Sequence, residues 1–393
     1  MFKKKVYLGL SNGTTSVANK TKEIYIGVNG VAHRIKRGYI GINGIAHLFY
    51  SYLKTVSKLN NIGNLATGKH FLGGTSTESH AIFAGGNTGG STSTYSKTVE
   101  LFDIDCISTS TNNLTTAKSR VAAEKINNIA VFAGGQSGSS TYNAAVNAYN
   151  DAGTSVTVSG GNLGQARRNI AAAALDEYIF FGGGCGANST TYTNVDVYDT
   201  SLVKPSTTCA LTTKRAYLAA GRIGNFVLFG GGYTGSADSA VIDAFSNTLV
   251  RSSPTALGVA RDTLAAATAG KCIIFLGGDT TFNDSFSSAI DIYNDSLVRT
   301  LSESSLSGVT AKYSHRGVSM EEHALFCGGN TSSGGIDEVN VFNDAGVLTT
   351  NLTLSVSRVI PASAYFNSRA FIAGGNNTTN NTYSATIDIF EEE

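Results

Sequence analysis

The chain has 393 residues, of which 15% are charged, and its formal net charge at pH 7 is +1. So small a charge provides no field that would attract nucleic acid or an anionic membrane surface. The 45 glycines come with 41% hydrophobic residues, which is enough apolar surface for a core. The five cysteines are scattered and form no CxxC pair, so we expect neither a zinc site nor a disulfide framework.

The first 50 residues contain a short repeat. Three lysines at positions 3–5 are followed by residues that turn polar too early for a signal peptide, so the sequence predicts no secretion signal and no membrane insertion. YIGVNGVAHRIKRG then precedes YIGINGIAHLFYSY, with a degenerate copy from Tyr7. Each copy has the pattern strand, Asn-Gly turn, strand, and predicts a β-hairpin. Because isolated hairpins bury little apolar area, we expect this module, residues 1–50, to need a partner or copies of itself.

A second repeat fills the rest of the chain. Seven apolar runs such as AIFAGG and YIFFGG end in Gly-Gly, and their first glycines are spaced 46 to 51 residues apart. The glycines are Gly85, Gly134, Gly182, Gly230, Gly277, Gly328 and Gly374. A basic residue lies 15 or 16 positions before each pair, namely Lys69, Lys118, Arg167, Lys214, Arg261, Lys312 and Arg358.

Each repeat unit predicts four short strands. The first is a strand of small residues, and the second is an apolar strand ending in Gly-Gly. The third alternates and ends in an aromatic residue, as in NVDVYD, and the fourth is a weaker polar strand. One four-stranded sheet cannot cover its own faces, whereas sheets arranged radially pack against their neighbours. The sequence therefore predicts an all-β fold, a seven-bladed β-propeller with a small N-terminal β-hairpin module.

The repeat unit resembles that of the kelch-repeat β-propellers, over about residues 65–390. The shared features are the basic residue, the Gly-Gly strand and the alternating strand with its terminal aromatic; kelch units usually also have a Trp on the fourth strand, and this chain has none. The N-terminal copies are similar to short Gly-rich repeats of phage and prophage tail-associated proteins of Gram-positive bacteria. That resemblance implies attachment of the propeller to a larger assembly, and the alternative is a small sheet packed on the propeller.

Ring closure can also be predicted from the sequence. The last unit stops at TIDIFEEE, directly after its third strand, and SYLKTVSKLNN, before the first unit, resembles the fourth-strand segment DSLVRTLSESS. We therefore expect residues 52–59 to complete the last blade of a propeller that spans residues 51–393. An open or eight-bladed ring is the alternative.

The sequence contains no recognisable catalytic motif. No GxSxG, HExxH, P-loop or sialidase-type box is present, and repeat equivalence accounts for four of the six histidines without a metal. We therefore predict no catalytic residue, metal or cofactor. Six aspartates at or next to equivalent strand positions are interpreted as turn-forming and sheet-edge residues, namely Asp103, Asp196, Asp199, Asp243, Asp291 and Asp388.

The loops after the Gly pairs are the candidate ligand-binding surface. They combine short hydroxyl and amide side chains with an aromatic ring, a combination that suits sugars, and the aromatics are Tyr95, Tyr142, Tyr192, Tyr233, Phe282, Phe286 and Tyr383. The alternative is that these rings only anchor their loops. On the same face we expect Lys118, Arg167, Lys214, Arg261, Lys312 and Arg358 to surround the channel mouth. They either bond to carbonyls of neighbouring blades or bind an anionic glycan.

These features favour a non-catalytic binding protein. The concrete expectation is a phage or prophage tail component that recognises a cell-surface glycan or receptor, attached to a tail or baseplate protein through residues 1–50. Such a protein would be assembled in the bacterial cytoplasm and carried on the virion or tail particle. The alternatives are a scaffold for protein–protein interaction and a kelch-type enzyme that modifies glycans. Homo-oligomer formation is left open, since the sequence has no coiled-coil seam.

Overall fold

The computed structural model of the chain forms two units, Met1–Thr55 and Val56–Glu393. The residues that it describes are 24–28, 31–35, 37–42, 45–51, 54–60, 63–89, 94–281, 285–378, 380 and 382–393.

The second unit is a seven-bladed β-propeller. In the described part of the chain, each blade is an antiparallel sheet whose first strand lines the central channel. The first strands are Gly73–Ser76, Ala122–Ile126, Ala171–Ala174, Ala219–Ile223, Ala265–Ala269, Arg316–Ser319 and Ala362–Phe366. The second strands are Ala81–Ala84, Ile129–Ala133, Tyr178–Gly182, Phe226–Gly230, Cys272–Leu276, His323–Cys327 and Arg369–Ala373.

Two further strands complete each sheet toward the rim. The third strands are Val99–Phe102, Val146–Tyr149, Asn194–Asp199, Ile242–Ser246, Ile290–Asn294, Glu338–Asn343 and Thr386–Glu392. The outer strands of blades 1 to 6 are Ser108–Ser110, Ser155–Val156, Cys209–Ala210, Arg251–Ser252, Arg299–Glu303 and Leu348–Thr353. The second-to-third loops also contain a 3₁₀ turn, Ala187–Ser189, and three small hairpins, Gln136–Gly138 with Thr141–Tyr142, Asn330–Thr331 with Gly334–Gly335, and Asn376–Asn377 with Thr382–Tyr383.

The last blade takes its outer strand from the beginning of the propeller unit. Val56–Lys58 pairs antiparallel with the end of the third strand, with Ser57 opposite Glu391, and Gly63–Asn64 pairs with the start of the same strand. The pairing of Val56–Lys58 falls within the segment 52–59 that the sequence predicts to close the ring, whereas Gly63–Asn64 lies beyond it.

Small residues occupy the first strands because the blades approach closely at the axis. A Cβ atom on Gly317 would lie 2.2 Å from the main-chain oxygen of Ala266 in the preceding blade, and one on Gly74 would lie 2.6 Å from that of Ser363. The Ala-rich segment of blade 3 is a strand, as the repeat predicts, although alanine by itself favours helix.

Aromatic pairs stabilise the middle of the blades. The ring of Phe132 lies edge-on to that of Tyr149, with centroids 6.0 Å apart, and Phe275 and Tyr293 form the same pair in blade 5. Edge-to-face pairs of this kind add about 0.5–1.5 kcal/mol beyond the area they bury. They explain why the third strand ends in an aromatic residue.

The Gly pair joins each blade to the next. The N–H of the second glycine donates to the main-chain oxygen of the basic residue that opens the next blade, with N···O distances of 2.8–3.1 Å at all seven interfaces. The first glycine has φ between 64° and 71°, and a Cβ there would lie 2.5–2.7 Å from the same oxygen. Both positions therefore require glycine, for conformation and for space.

The structure corrects the register of two repeats. In blades 3 and 4 the pair of glycines with positive φ begins at Gly183 and Gly231. The predicted Gly182 and Gly230 are the last residues of the second strands. With this correction, the buried basic residue lies 16 positions before the pair in every blade, and in blade 4 it is Arg215. The triple glycines of blades 3 and 4 conceal the register in the sequence.

The first unit contains two hairpins. Ile24–Val28 pairs with Val31–Ile35, and Arg37–Ile42 pairs with Ile45–Ser51, as the two repeat copies predict. The degenerate copy that begins at Tyr7 lies outside the described residues. None of the described helices is long and apolar enough to cross a membrane.

Candidate functional site at the channel mouth

Two sets of loops share one face of the propeller. The residue after each basic residue forms an isolated bridge with the residue after each Gly pair, for example Ser119 with Gln136 and Arg168 with Cys185. The connections into the first strands and the second-to-third loops therefore lie together. We call this side the loop face, and the end of the channel that opens there the channel mouth.

A ring of seven strained residues forms the channel mouth. One residue per blade, two positions after the basic residue, is not glycine and yet has φ between 46° and 57°, and five N–H···O bonds of 2.7–3.3 Å link these residues from blade to blade. Such a conformation costs about 1 kcal/mol or more per residue. The ring lines a channel of about 1140 Å³ and consists of Phe71, Arg120, Asn169, Tyr217, Thr263, Ser314 and Ile360.

The predicted basic residues lie inside the blades. Lys118, Arg167, Arg261, Lys312 and Arg358 are each 0% exposed, whereas Lys214 is exposed. Arg215, also 0% exposed, occupies the position that the sequence repeat assigns to Lys214. Burial of this degree favours the structural interpretation of these side chains over contact with a ligand.

The buried cations bond within their own blade. Arg261 pairs with Asp291 at 2.8 Å and donates to the main-chain oxygen of Phe275 at 3.1 Å, both in blade 5. Bonds to carbonyls of neighbouring blades are one expectation from the sequence. The carbonyl that Arg261 contacts instead belongs to its own blade. Burial lowers the pKa of Arg261 and the charge of Asp291 raises it, so the carboxylate compensates for part of the desolvation.

Four aspartates have a different role from the one that the sequence predicts. They are buried partners of the blade arginines, with at most 9% exposed surface, and are not turn-forming or sheet-edge residues, namely Asp196, Asp243, Asp291 and Asp388. Asp103 and Asp199 do form turns, because each accepts two main-chain N–H bonds. The sequence offered a signal for the buried pairs, since a basic residue recurs together with an acid on the third strand.

Three loop aromatics rest on the next blade. Phe286 stacks on Tyr313 with ring centroids 5.1 Å apart, and Tyr383 stacks on His70 at 4.3 Å. The guanidinium carbon of Arg168 lies 5.5 Å from the ring of Tyr142. Each partner directly follows a buried basic residue, so these rings anchor their loops across a blade interface.

The remaining loop aromatics lie on the same face. Tyr95, Tyr192 and Tyr233 are half-buried, and Phe282 lies outside the described residues. Among the described residues, Tyr95 and Tyr192 have no stacked partner. These two rings are therefore the candidates for stacking on a ligand, although the main chain at Gly186 lies against one side of the Tyr192 ring.

Two arginines add positive charge at blades 2 and 3. Arg120, in the strained ring, places its guanidinium carbon 3.6 Å from the centroid of the Phe71 ring and donates to Asn169 at 3.4 Å. Arg168 donates to Gln136, and its buried Nε has no acceptor. Neither arginine was among the predicted site residues, because only the residue at the repeated basic position was selected.

Blades 4 and 5 place negative charge on the same face. Burial raises the pKa of Asp262 to about 7, and the neighbouring Asp238 and Asp279 raise it further, while a hydrogen bond from Thr263 opposes the shift. Burial and Asp279 raise the pKa of Asp238 to about 6. In the described part of the chain, no group of three or more His, Cys, Asp or Glu side chains could hold a metal ion.

The opposite end of the channel carries a paired cation. Arg222 donates to both carboxylate oxygens of Asp176, at 2.5 and 2.9 Å, and its side chain is 42% exposed. Burial raises the pKa of Glu124, which also lines this end, to about 7. The arginine at this end is therefore ion-paired, whereas Arg120 and Arg168 at the mouth have no ion pair among the described residues.

No protein-family model and no curated protein matches the chain. What the molecule does is therefore inferred from its own residues.

Proposed function

We propose that the protein is a kelch-type propeller that binds a cell-surface glycan on its loop face without catalysing a reaction. The kelch assignment is supported by the repeated order of basic residue, Gly pair and aromatic-terminated strand. Glycan binding is supported by one observation above all, the presence of half-buried aromatic rings and short hydroxyl and amide side chains together on the loop face. Sugars bind such surfaces by stacking and by hydrogen bonds.

The N-terminal hairpins suit an attachment module. Two-stranded sheets are marginal by themselves, so Ile24–Ile35 and Arg37–Ser51 need a further surface to pack against. We propose that this surface belongs to a phage or prophage tail, on which the propeller acts as a receptor-binding component. Immunogold labelling of tail particles with an antibody against the full chain tests this attachment, and unlabelled tails would contradict it.

A glycan array probed with the full chain tests the binding function. We expect binding to a restricted set of surface glycans and a loss of about tenfold in affinity for Tyr192→Ala, because a stacked sugar contributes on the order of 1 kcal/mol per aromatic face. The control is Tyr178→Ala, since Tyr178 lies in the same blade at the opposite end of the second strand. A blank array, or equal losses in the two variants, would contradict the proposal.

A further inference from the structure

The two arginines at the channel mouth lack the neutralising partners that the blade arginines have. Arg167, Arg215, Arg261 and Arg358 each pair with a buried aspartate. Among the described residues, no carboxylate lies within ion-pairing distance of Arg120 or Arg168.

Arg120 and Arg168 belong to neighbouring blades and lie near each other, because the Arg120 guanidinium donates to Asn169, the residue directly after Arg168. Burial lowers the pKa of Arg120, and the nearby charge of Arg168 lowers it further, while Tyr217 acts in the opposite direction. Arginine nevertheless keeps its proton in proteins, so both charges persist at neutral pH. Holding two like charges in a partly buried site costs free energy that an anion between them would recover.

Their positions are exceptional within the repeat. Arg120 is the only charged member of the seven-residue strained ring. Arg168 is the only Lys or Arg among the seven residues that directly follow the buried basic residues. Because the other blades place uncharged or acidic residues there, the repeat itself does not explain the pair.

We propose that Arg120 and Arg168 form an oxyanion-binding site that takes a carboxylate or phosphate group of the ligand. The assignment of that group to a glycan rests on the proposed function, whereas the anion site rests on the geometry alone. Carboxylate and phosphate share the oxygen pairs that a guanidinium fork binds in bidentate fashion.

The donors needed for such a bond are free. Only one hydrogen bond of the Arg120 guanidinium occurs among the described residues, the one to Asn169, and the stacked Phe71 ring fixes its plane. Arg168 uses one Nη donor on Gln136, and its Nε has no acceptor. The plane of the Arg120 guanidinium is thus held in place while most of its N–H groups lack an acceptor, and Arg168 offers its remaining Nη donors, since its Nε is buried.

The acidic sector restricts where an anion can lie. Asp262 and Asp279 face each other in an isolated bridge in blade 5, and Asp238 of blade 4 and Asp279 both raise the pKa of Asp262. They repel an anion from that side of the mouth. The ligand's charged group is therefore directed to blades 2 and 3.

Calorimetric titration of the full chain with inorganic phosphate and, separately, with glucuronate tests the site. Ionic strength is held constant with chloride. We expect at least one of the two anions to bind the wild type, and Arg120→Gln and Arg168→Gln each to weaken that binding by about tenfold or more, since a charge-assisted hydrogen bond contributes about 1.5–3 kcal/mol. Binding of phosphate alone assigns a phosphorylated ligand, and binding of glucuronate alone assigns a carboxylated one.

Arg222→Gln is the matched control, because Arg222 lines the same channel but is paired with Asp176 at the other end. Its affinity should equal that of the wild type. Wild-type protein that binds neither anion, or glutamine variants that bind as tightly as wild type, would overturn the proposal. If Arg120→Gln does not fold, Arg168→Gln carries the test. Arg168→Lys keeps the charge but loses the guanidinium fork, so its anion affinity should lie between those of Arg168→Gln and the wild type.

The two proposals fail separately. Anion binding that depends on Arg120 and Arg168, together with a blank glycan array, contradicts the glycan function and supports the site. Binding of neutral glycans that neither glutamine variant alters, together with no anion binding, supports the glycan function and overturns the site.

Discussion

One buried cation of the propeller differs from the other six. Lys118 is 0% exposed and donates to the main-chain oxygen of Ala145 at 3.0 Å, but its blade has Asn147 where five other blades have an acid. Blade 6 also has an asparagine at this position, Asn340, but there Lys312 pairs with Glu338. Burial lowers the pKa of Lys118 to about 7. Lys69, by comparison, has Glu100 at 2.6 Å.

Lys118→Met is therefore expected to stabilise the protein by about 1–3 kcal/mol at pH 7. The unfolded lysine titrates near 10.4, so between pH 7 and that value the unfolded chain binds the extra proton and wild-type stability rises with pH. The gain from Lys118→Met should accordingly be largest at or below pH 7 and shrink toward pH 10. Urea denaturation across this range measures it.

Lys69→Met serves as the paired comparison. Removing Lys69 leaves Glu100 without its cation, so this variant should be destabilised by about 3–5 kcal/mol at pH 7. If both variants were stabilised, or both destabilised, the acid, present in one blade and replaced by Asn in the other, would not decide the sign of the stability change.

At the level of the strands and turns, the Gly pair allows neighbouring blades to pack closely. A Cβ atom on Gly85 would meet both an unfavourable φ of 71° and the main-chain oxygen of Lys118 at 2.5 Å. Gly161 has nearly the same φ, 69°, but a Cβ atom there would have no other atom within 4 Å. Comparing substitutions at these two glycines therefore distinguishes the cost of conformational strain from the cost of steric contact.

Gly85→Ala should cost about 3 kcal/mol or more, and Gly161→Ala about 1 kcal/mol, the conformational share alone. Thermal and urea unfolding of the two variants provide the comparison. Similar losses would mean that the blade interface adjusts to the methyl group and that the close approach is not what selects glycine.

The elements that the sequence predicts best are those that repeat in type. The Gly pair and the terminal aromatic of the third strand, such as Tyr149 with its contact to Phe132, recur because each blade needs the same turn and the same ring contact. The strained ring could not be predicted, since Phe71, Asn169 and Thr263 share no chemistry. Their common φ is imposed by the crowding of seven connections around the axis, which no single unit encodes.

For the candidate site, the sequence predicts a face of the propeller but not the two arginines. The sequence placed ligand contacts on the loop face, and the positive charge at blades 2 and 3 comes from Arg120 and Arg168, which lie one or two positions after the predicted residues. Whether a cation faces the blade interior or the channel depends on the turn between those positions. That turn has a left-handed residue, which strand and loop patterns do not indicate.

For the molecule as a whole, the ring is fastened near the end of the described chain. Glu392 is 3% exposed, its carboxylate lies 2.8 Å from His323, and it accepts the N–H groups of Glu321 and Glu322 in blade 6. The same strand pairs with Val56–Lys58. The last blade is thus bonded to its neighbour and to the first strand of the propeller unit at once.

Glu392→Ala should lower the free energy of unfolding by about 2–4 kcal/mol, because it leaves the buried His323 and two partly buried main-chain N–H groups without their acceptor. Glu393→Ala, one residue further along and exposed, should leave it within about 0.5 kcal/mol of wild type. Guanidinium unfolding monitored by tyrosine fluorescence compares them, and matched midpoints for the two variants would contradict a fastening role for Glu392.

The pairing of Ser57 with Glu391 also dictates an order of events during synthesis. Each blade forms from neighbouring residues and can fold as it leaves the ribosome, but the seam joins segments more than three hundred residues apart. Until the final strand emerges, the nascent chain is an open arc with two uncovered sheet faces, the kind of surface on which aggregation and exchange between chains begin. We expect chaperone dependence to concentrate in the interval before Thr386–Glu392 has been synthesised and paired.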